Sequence, residues 1–322
     1  MKMKIKTKIL IGLGILLIIF LGFIILYDKY IEAVIFRIPE SDHYYRYPGR
    51  VPPRDRTPAE VPPIIYGITV DDTSKLSLTL DSITRLSQKT MVRIVFDYGM
   101  NPVDYSNAVN QIDSIAYTMA EPVDSSDMTK YSTYQYSNRF SQYLSAFGNQ
   151  IEIWEIGNEV NGEWLGNATS VSDKIAAAYD LVKAAGKKTA LTLHYNVGGD
   201  CPTYPVNEMY SWVNKYVPER MRQGVDYVFF SYYPENCPEI SPNWELEFQK
   251  IGNIFPNSKL GFGELGYEVG TQAQKEALIK RFYPMKINHP RYVKGIFWWY
   301  FKEEMVPYTS YLWGVLNKAI GG

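Results

Sequence analysis

The chain has 322 residues, of which 46% are hydrophobic and 21% charged, and its formal net charge is −1. This is a globular composition, long enough for one large domain or two small ones, and too evenly charged for a strongly basic nucleic-acid binder. With three histidines (His43, His194, His289) and two cysteines (Cys201, Cys237), a histidine-rich or cysteine-cluster metal site is not expected.

In chain order, Lys2, Lys4, Lys6 and Lys8 precede an apolar run from Ile9 to Leu26. Eighteen residues at the helical rise span roughly 27 Å, close to the hydrocarbon thickness of a bilayer. No small-x-small cleavage pattern follows before Tyr27, so residues 1–30 are expected to be an uncleaved signal anchor; a cleaved signal peptide and a buried core helix are the alternatives. The lysines place the N-terminus in the cytoplasm and all that follows outside the cell membrane. Setting aside the five lysines and one aspartate of residues 1–30 leaves 28 basic and 33 acidic residues, a net of about −5, which again disfavours nucleic acid.

Residues 31–63 hold seven prolines (39, 48, 52, 53, 58, 62, 63) among Arg46, Arg50, Arg54 and Arg56. This pattern predicts a stiff, extended linker; the alternative is an arm packed across the base of the following domain. From Ile64 onward, short apolar runs alternate with amphipathic stretches. Strands are expected at IIYGITV from Ile64, MVRIVFD from Met91, SIAYTM from Ser114, IEIWEIGNE from Ile151, TALTLHY from Thr189, VDYVFFSYY from Val225, KLGFGE from Lys259 and KGIFWWYF from Lys294. Eight such β-then-helix units in residues 64–322, roughly 260 residues, predict a (β/α)8 barrel, the TIM-barrel architecture, as one domain. The alternative, a doubly wound sheet, requires a glycine-rich phosphate loop after the first strand, where this chain has Asp71-Asp72-Thr73-Ser74.

In such a barrel, functional residues belong at the C-terminal ends of the strands. The fourth expected strand ends in WEIGNEVNGEW, with Asn158 and Glu159, and the seventh ends in GFGELGYE, with Glu264. Two rim carboxylates facing each other across a barrel mouth are what glycoside cleavage uses: one protonates the leaving oxygen and the other attacks the anomeric carbon. Gly261, Gly263 and Gly266 also match a dinucleotide fingerprint, but at the seventh strand, with a carboxylate inside the motif that would repel pyrophosphate.

The stretch from Ile64 to the end resembles the clan A glycoside hydrolases, retaining barrel enzymes with catalytic glutamates after strands four and seven. The resemblance implies Glu159 as acid/base, Glu264 as nucleophile, and Asn158 as a hydrogen-bond partner of the sugar 2-hydroxyl. It further implies that Arg93 lies near the nucleophile, that Tyr233 in SYYP hydrogen-bonds it, and that Trp299 in FWWYF is an aromatic platform under the sugar. Ser231 stands where the clan often has histidine two residues before that tyrosine, and the family within the clan stays open.

Competing roles exist for each residue. Glu159 could be a helix N-terminal carboxylate and Glu264 a plain ion-pair partner of Arg93. Glu155 reads as the partner of a buried cation, His194 as either a cleft-lining substrate contact or a satisfied structural histidine, and Tyr66 as core. The expected function is retaining hydrolysis of β-glycosidic bonds in a cell-surface or extracellular polysaccharide, with no metal or organic cofactor. A catalytically silent glycan-binding barrel and a membrane-anchored scaffold are the alternatives. Cys201 and Cys237, on the loops after strands five and six, are expected to bridge.

Overall fold

A computed structural model describes residues 58–198 and 201–321. The expected signal anchor and most of the proline-rich segment lie outside the described residues; among those described, no helix is long and apolar enough to cross a membrane. Eight parallel strands close in sequence order: β1 (Ile65–Val70), β2 (Met91–Val95), β3 (Tyr117–Glu121), β4 (Ile153–Gly157), β5 (Lys188–His194), β6 (Tyr227–Tyr232), β7 (Lys259–Leu265) and β8 (Lys294–Trp298). Between them run α1 (Leu76–Thr84), α2 (Pro102–Ile115), α3 (Thr133–Phe147), α4 (Ala168–Ala184), α5 (Met209–Tyr216), α6 (Glu219–Gly224), α7 (Trp244–Ile254) and α8 (Gln272–Phe282). Two more, α9 (Phe301–Met305) and α10 (Tyr311–Gly321), follow β8.

Alternation along each strand builds two cores. Val92, Ile94, Ala120, Trp154, Leu191, Val228, Phe230, Phe262 and Trp298 point outward and pack with the helices in one large apolar layer. Inside the barrel, Ile65, Met91, Met119, Ile153, Ala190, Phe229 and Phe297 fill the lower part. Two residues further along their strands the inward positions turn polar, at Arg93, Glu121, Glu155, Thr192 and Ser231, all buried. An apolar floor under a charged top is thus written directly into the period-two pattern.

Two details correct the sequence expectation. The third strand begins at Tyr117 rather than Ser114, because α2 continues through Ile115. That helix is started by Pro102 and a reciprocal cap between Asn101 and Asp104, and its buried face (Tyr105, Val109, Ile112) keeps the chain helical past the expected boundary. The proline-rich segment also touches the domain before Ile64: Val61 is buried in the barrel floor, and the Ala59 amide donates to Glu152 Oε1 at 3.1 Å. Its last described residues therefore pack across the base.

Tyr66 faces the outer apolar layer, in line with a core role. Cys201 and Cys237 form a disulfide across the loops after β5 and β6, with Cα atoms 5.6 Å apart.

The orientation of Glu264 depends on an extra residue in β7. Phe230 pairs with Phe262, but Ser231 pairs with Glu264, so the register slips by one at Gly263. Phe262 points to the helices; the slip resets the alternation and turns Glu264 into the barrel. A Cβ at position 263 would sit 2.7 Å from both Phe229 Cβ and Thr192 Oγ1, so a glycine is needed there. We expect Gly263→Ala to destabilise the domain by about 1–3 kcal/mol through overpacking. Thermal and denaturant unfolding check this, and wild-type stability in the variant would show that the slip does not depend on glycine.

Candidate active site

All the rim residues singled out in the sequence meet at the C-terminal end of the barrel. Arg93, fully buried on β2, donates from Nη2 to Glu264 Oε2 at 2.8 Å. Its Nη1 lies 3.5 Å from Glu155 Oε2 and its Nε 3.3 Å from Glu121 Oε2, so one cation faces three carboxylates. Glu264 receives two further hydrogen bonds: Tyr233 Oη donates to Oε1 at 2.7 Å and Asn158 Nδ2 to Oε2 at 3.0 Å. Asn158 Oδ1 accepts from the Ser125 amide at 3.3 Å, which fixes the amide plane. Trp299 is half-buried, and the Arg93 guanidinium lies 4.9 Å from its ring centre. Its neighbour Trp298 turns away and donates from Nε1 to Glu304, as alternation along a strand requires.

Glu159 is held by a different set of groups. Ser231 Oγ donates to its Oε1 at 2.6 Å, His194 Nδ1 lies 3.1 Å from the same oxygen, and Ser125 Oγ is 3.1 Å from Oε2. Glu159 has φ 46°, in the left-handed region. For a residue with a Cβ this costs on the order of 1–2 kcal/mol, and the three side-chain contacts oppose relaxation. Gly157 just before it lets α4 approach, since a Cβ there would meet Ile175 Cγ2 at 2.6 Å.

The sequence left His194 as either a substrate contact or a satisfied structural histidine; the structure places it against Glu159. Trp164 closes that side, its indole donating to Ser125 Oγ at 3.2 Å and meeting the His194 ring edge-on at 5.1 Å. Glu163 turns instead to the Tyr204 amide, at 2.6 Å.

Three contributors escaped the sequence analysis. Glu121 was missed because the third strand was expected to begin and end too early, which left its C-terminal carboxylate unexamined. Ser125 follows four residues later on a short 3₁₀ helix, Ser125–Lys130. Asn161 donates to the His194 carbonyl at 2.9 Å and accepts from the His194 amide at 2.8 Å, tying the loop after β4 to the end of β5. A search for polar residues just past every strand end would have found Glu121 and Ser125.

Burial acts on all these carboxyls. It pushes Glu121 well above the usual carboxylate range, because Arg93 only partly offsets it and Glu155 adds repulsion; Glu155 is raised for the same principal reason. Glu264 is pushed up to about 7 by burial, against the pull of Arg93 and with a further push from the charge of Glu159. Burial also raises Glu159, but the hydrogen bond and positive charge of His194, together with the two serine hydroxyls, outweigh it and hold Glu159 below its ordinary value.

No family model matches the chain, and no curated protein does. Similar solved structures include a glucosidase from Croceicoccus marinus, at 15% identity and TM-score 0.46, covering 73% of this chain and 58% of that one. Saccharomyces cerevisiae Gas2p in complex with laminaritetraose and laminaripentaose follows at 10% and 0.47, covering 80% of this chain and 63% of that one. A family 1 β-glucosidase from Thermotoga maritima gives 8% and 0.48, covering 70% and 76%. The chain thus spans about three-fifths of the length of the first two, and likeness at this level carries no argument about chemistry.

Carbon-13 labelling of the glutamate carboxyls tests the electrostatics without any substrate. A buried side-chain carboxyl should titrate near pH 7, ionised above and protonated below. Tyr233→Phe, which removes a hydrogen bond favouring the anion, should move that titration upward. An unchanged titration in the variant would show that the Tyr233 contact does not act on Glu264.

Proposed function

We propose that the chain is a retaining glycoside hydrolase that cleaves β-glycosidic bonds by double displacement, with Glu264 as nucleophile and Glu159 as acid/base. The observation that carries this reading is the division of donors between the two rim carboxylates. Glu264 has a guanidinium, a phenol and an amide aimed at its two oxygens, a set that favours a carboxylate anion. Glu159 has only hydroxyls and an imidazole, groups that can accept a hydrogen bond from a carboxylic acid as well as donate one to a carboxylate.

In the first step a Glu264 oxygen bonds to the anomeric carbon while the glycosidic C–O bond breaks and the leaving oxygen takes the proton of Glu159. In the second, Glu159 removes a proton from water, whose oxygen attacks the anomeric carbon and releases Glu264. Asn158 at the sugar 2-hydroxyl and Trp299 beneath the ring complete the site. No metal or organic cofactor enters either step.

The proton order described above, with Glu159 low and Glu264 near 7, is the reverse of what the first step uses. Burial favours a proton on Glu159, and the contacts from His194, Ser231 and Ser125 are what oppose it there. A proton on Glu159 removes the repulsion it exerts on Glu264, so protonation of one favours ionisation of the other beside Arg93. The reactive form has one proton on Glu159 and none on Glu264.

The lysine-flanked run Ile9–Leu26, read as a signal anchor, would hold the barrel outside the cell membrane, where an exported or wall-associated polysaccharide is the substrate class. The reading is tested with the full chain on aryl β-glycosides and a panel of polysaccharides. Glu264→Ala should lower turnover by at least about a thousandfold, and azide should partly restore it with a glycosyl azide of inverted configuration. Glu159→Ala should spare aryl substrates with good leaving groups, and azide should then give retained configuration. Near-normal activity of Glu264→Ala would defeat the assignment; absence of turnover on every substrate in the wild-type chain would favour the glycan-binding or scaffold alternative.

A further inference from the structure

The loops after β2 and β3 carry a cavity, of about 220 Å³, that the chemistry above does not use. Tyr98 stands at its edge, 51% exposed, and meets Tyr131 edge-on with ring centres 5.3 Å apart. Asn138 and Gln142, one turn apart on α3, also line it, and neither side-chain amide has a hydrogen-bond partner among the described residues. The cations nearby are already engaged. Lys130 pairs with Asp127 and lies 5.0 Å from the Tyr98 ring centre, while Arg139 donates to the carbonyls of Phe96, Asp97, Met100 and Pro122.

The cavity is linked to the candidate active site by the 3₁₀ helix Ser125–Lys130. Ser125 at one end contacts Glu159, and Lys130 at the other lines the cavity. Six residues at about 2 Å per residue put the two roughly 10 Å apart. Both flanking loops leave the C-terminal ends of their strands, the end of the barrel that also carries Glu159 and Glu264.

We propose that this cavity is a distal saccharide subsite, which takes a neutral sugar unit of an extended glycan chain whose scissile bond lies at Glu159 and Glu264. Tyrosine rings present apolar faces to the C–H face of a pyranose, and unpartnered amides offer both donors and acceptors to its hydroxyls. Lys130 is paired with Asp127 and Arg139 directs its donors to four backbone carbonyls, which points to a neutral unit rather than a uronate or phosphorylated one. This deepens the glycosidase reading and rests on it for the position of the cleaved bond.

The test uses the full chain, with Tyr98→Ala and Asn138→Ala/Gln142→Ala as variants. Turnover is compared on cellohexaose, laminarihexaose and xylohexaose and on aryl β-monoglycosides, and hexasaccharide binding is measured in a Glu264→Gln background. Each variant should lower the ratio of kcat/KM on the hexasaccharide to that on the aryl glycoside about tenfold, and weaken hexasaccharide binding by a similar factor. A ratio and an affinity equal to the parent's would overturn the subsite while leaving the glycosidase reading intact. Tyr98-dependent binding without turnover would do the reverse. Binding of none of the three chains ends the proposal, and tighter binding of an oligouronate than of any neutral chain overturns the assignment of a neutral unit.

Discussion

The arrangement at the barrel mouth depends on Arg93. Its guanidinium is fully buried, and an isolated ion in that position would cost several kcal/mol even after relaxation. It is tolerated because Glu264, Glu155 and Glu121 surround it. One positive charge cannot balance three buried negative ones, however, so the cluster must retain protons. Burial raises Glu121 and Glu155, and Glu121 accepts no hydrogen bond that would favour its anion. The outcome is a site whose fixed cation is shared, with Glu264 holding the shortest contact to it. The apolar floor beneath, from Met91, Met119, Ile153 and Phe229, keeps water from relaxing this competition.

The second organising element is the separation of donor sets. Ser125, on the loop after β3, reaches both rim residues of β4: its amide donates to Asn158 and its hydroxyl contacts Glu159. Asn161 locks the backbone of His194 from the other side. The left-handed turn at Glu159 is the point where these constraints converge, and it directs the carboxyl toward Ser231 and His194 rather than toward Arg93. The imidazole at Glu159 comes from His194 at the end of β5, and Ser231 on β6 adds a hydroxyl.

Much of this was legible in the sequence because strand alternation is a local property. Glu264 could be placed at a strand end and Glu155 beside a buried cation by following the apolar runs, whereas Arg93 came with the family resemblance; the one-residue slip that turns Glu264 inward coincides with a visible glycine, Gly263. The rest depends on contacts between loops distant in sequence. The role of His194 is set by the path of the chain after β4, and that path is fixed by Asn161 and the unusual φ of Glu159, neither of which has a periodic signature. Glu121 was hidden for a different reason: the capped helix α2 carries its pattern past Ser114, so an apolar run that looked like a strand start is the last turn of a helix. The disulfide partners could be paired because the strand order already placed their loops side by side.

The central claim is that Glu264 forms a covalent bond to the sugar. It is tested most directly by incubating the full chain with 2,4-dinitrophenyl 2-deoxy-2-fluoro-β-glycosides, which slow the second step more than they impede the first, and digesting the product for peptide mass spectrometry. The account predicts one equivalent of fluoroglycosyl adduct on the peptide carrying Glu264, lost when that residue is alanine. An adduct on Glu159, or turnover of the parent glycoside with inverted configuration and no adduct at all, would contradict it.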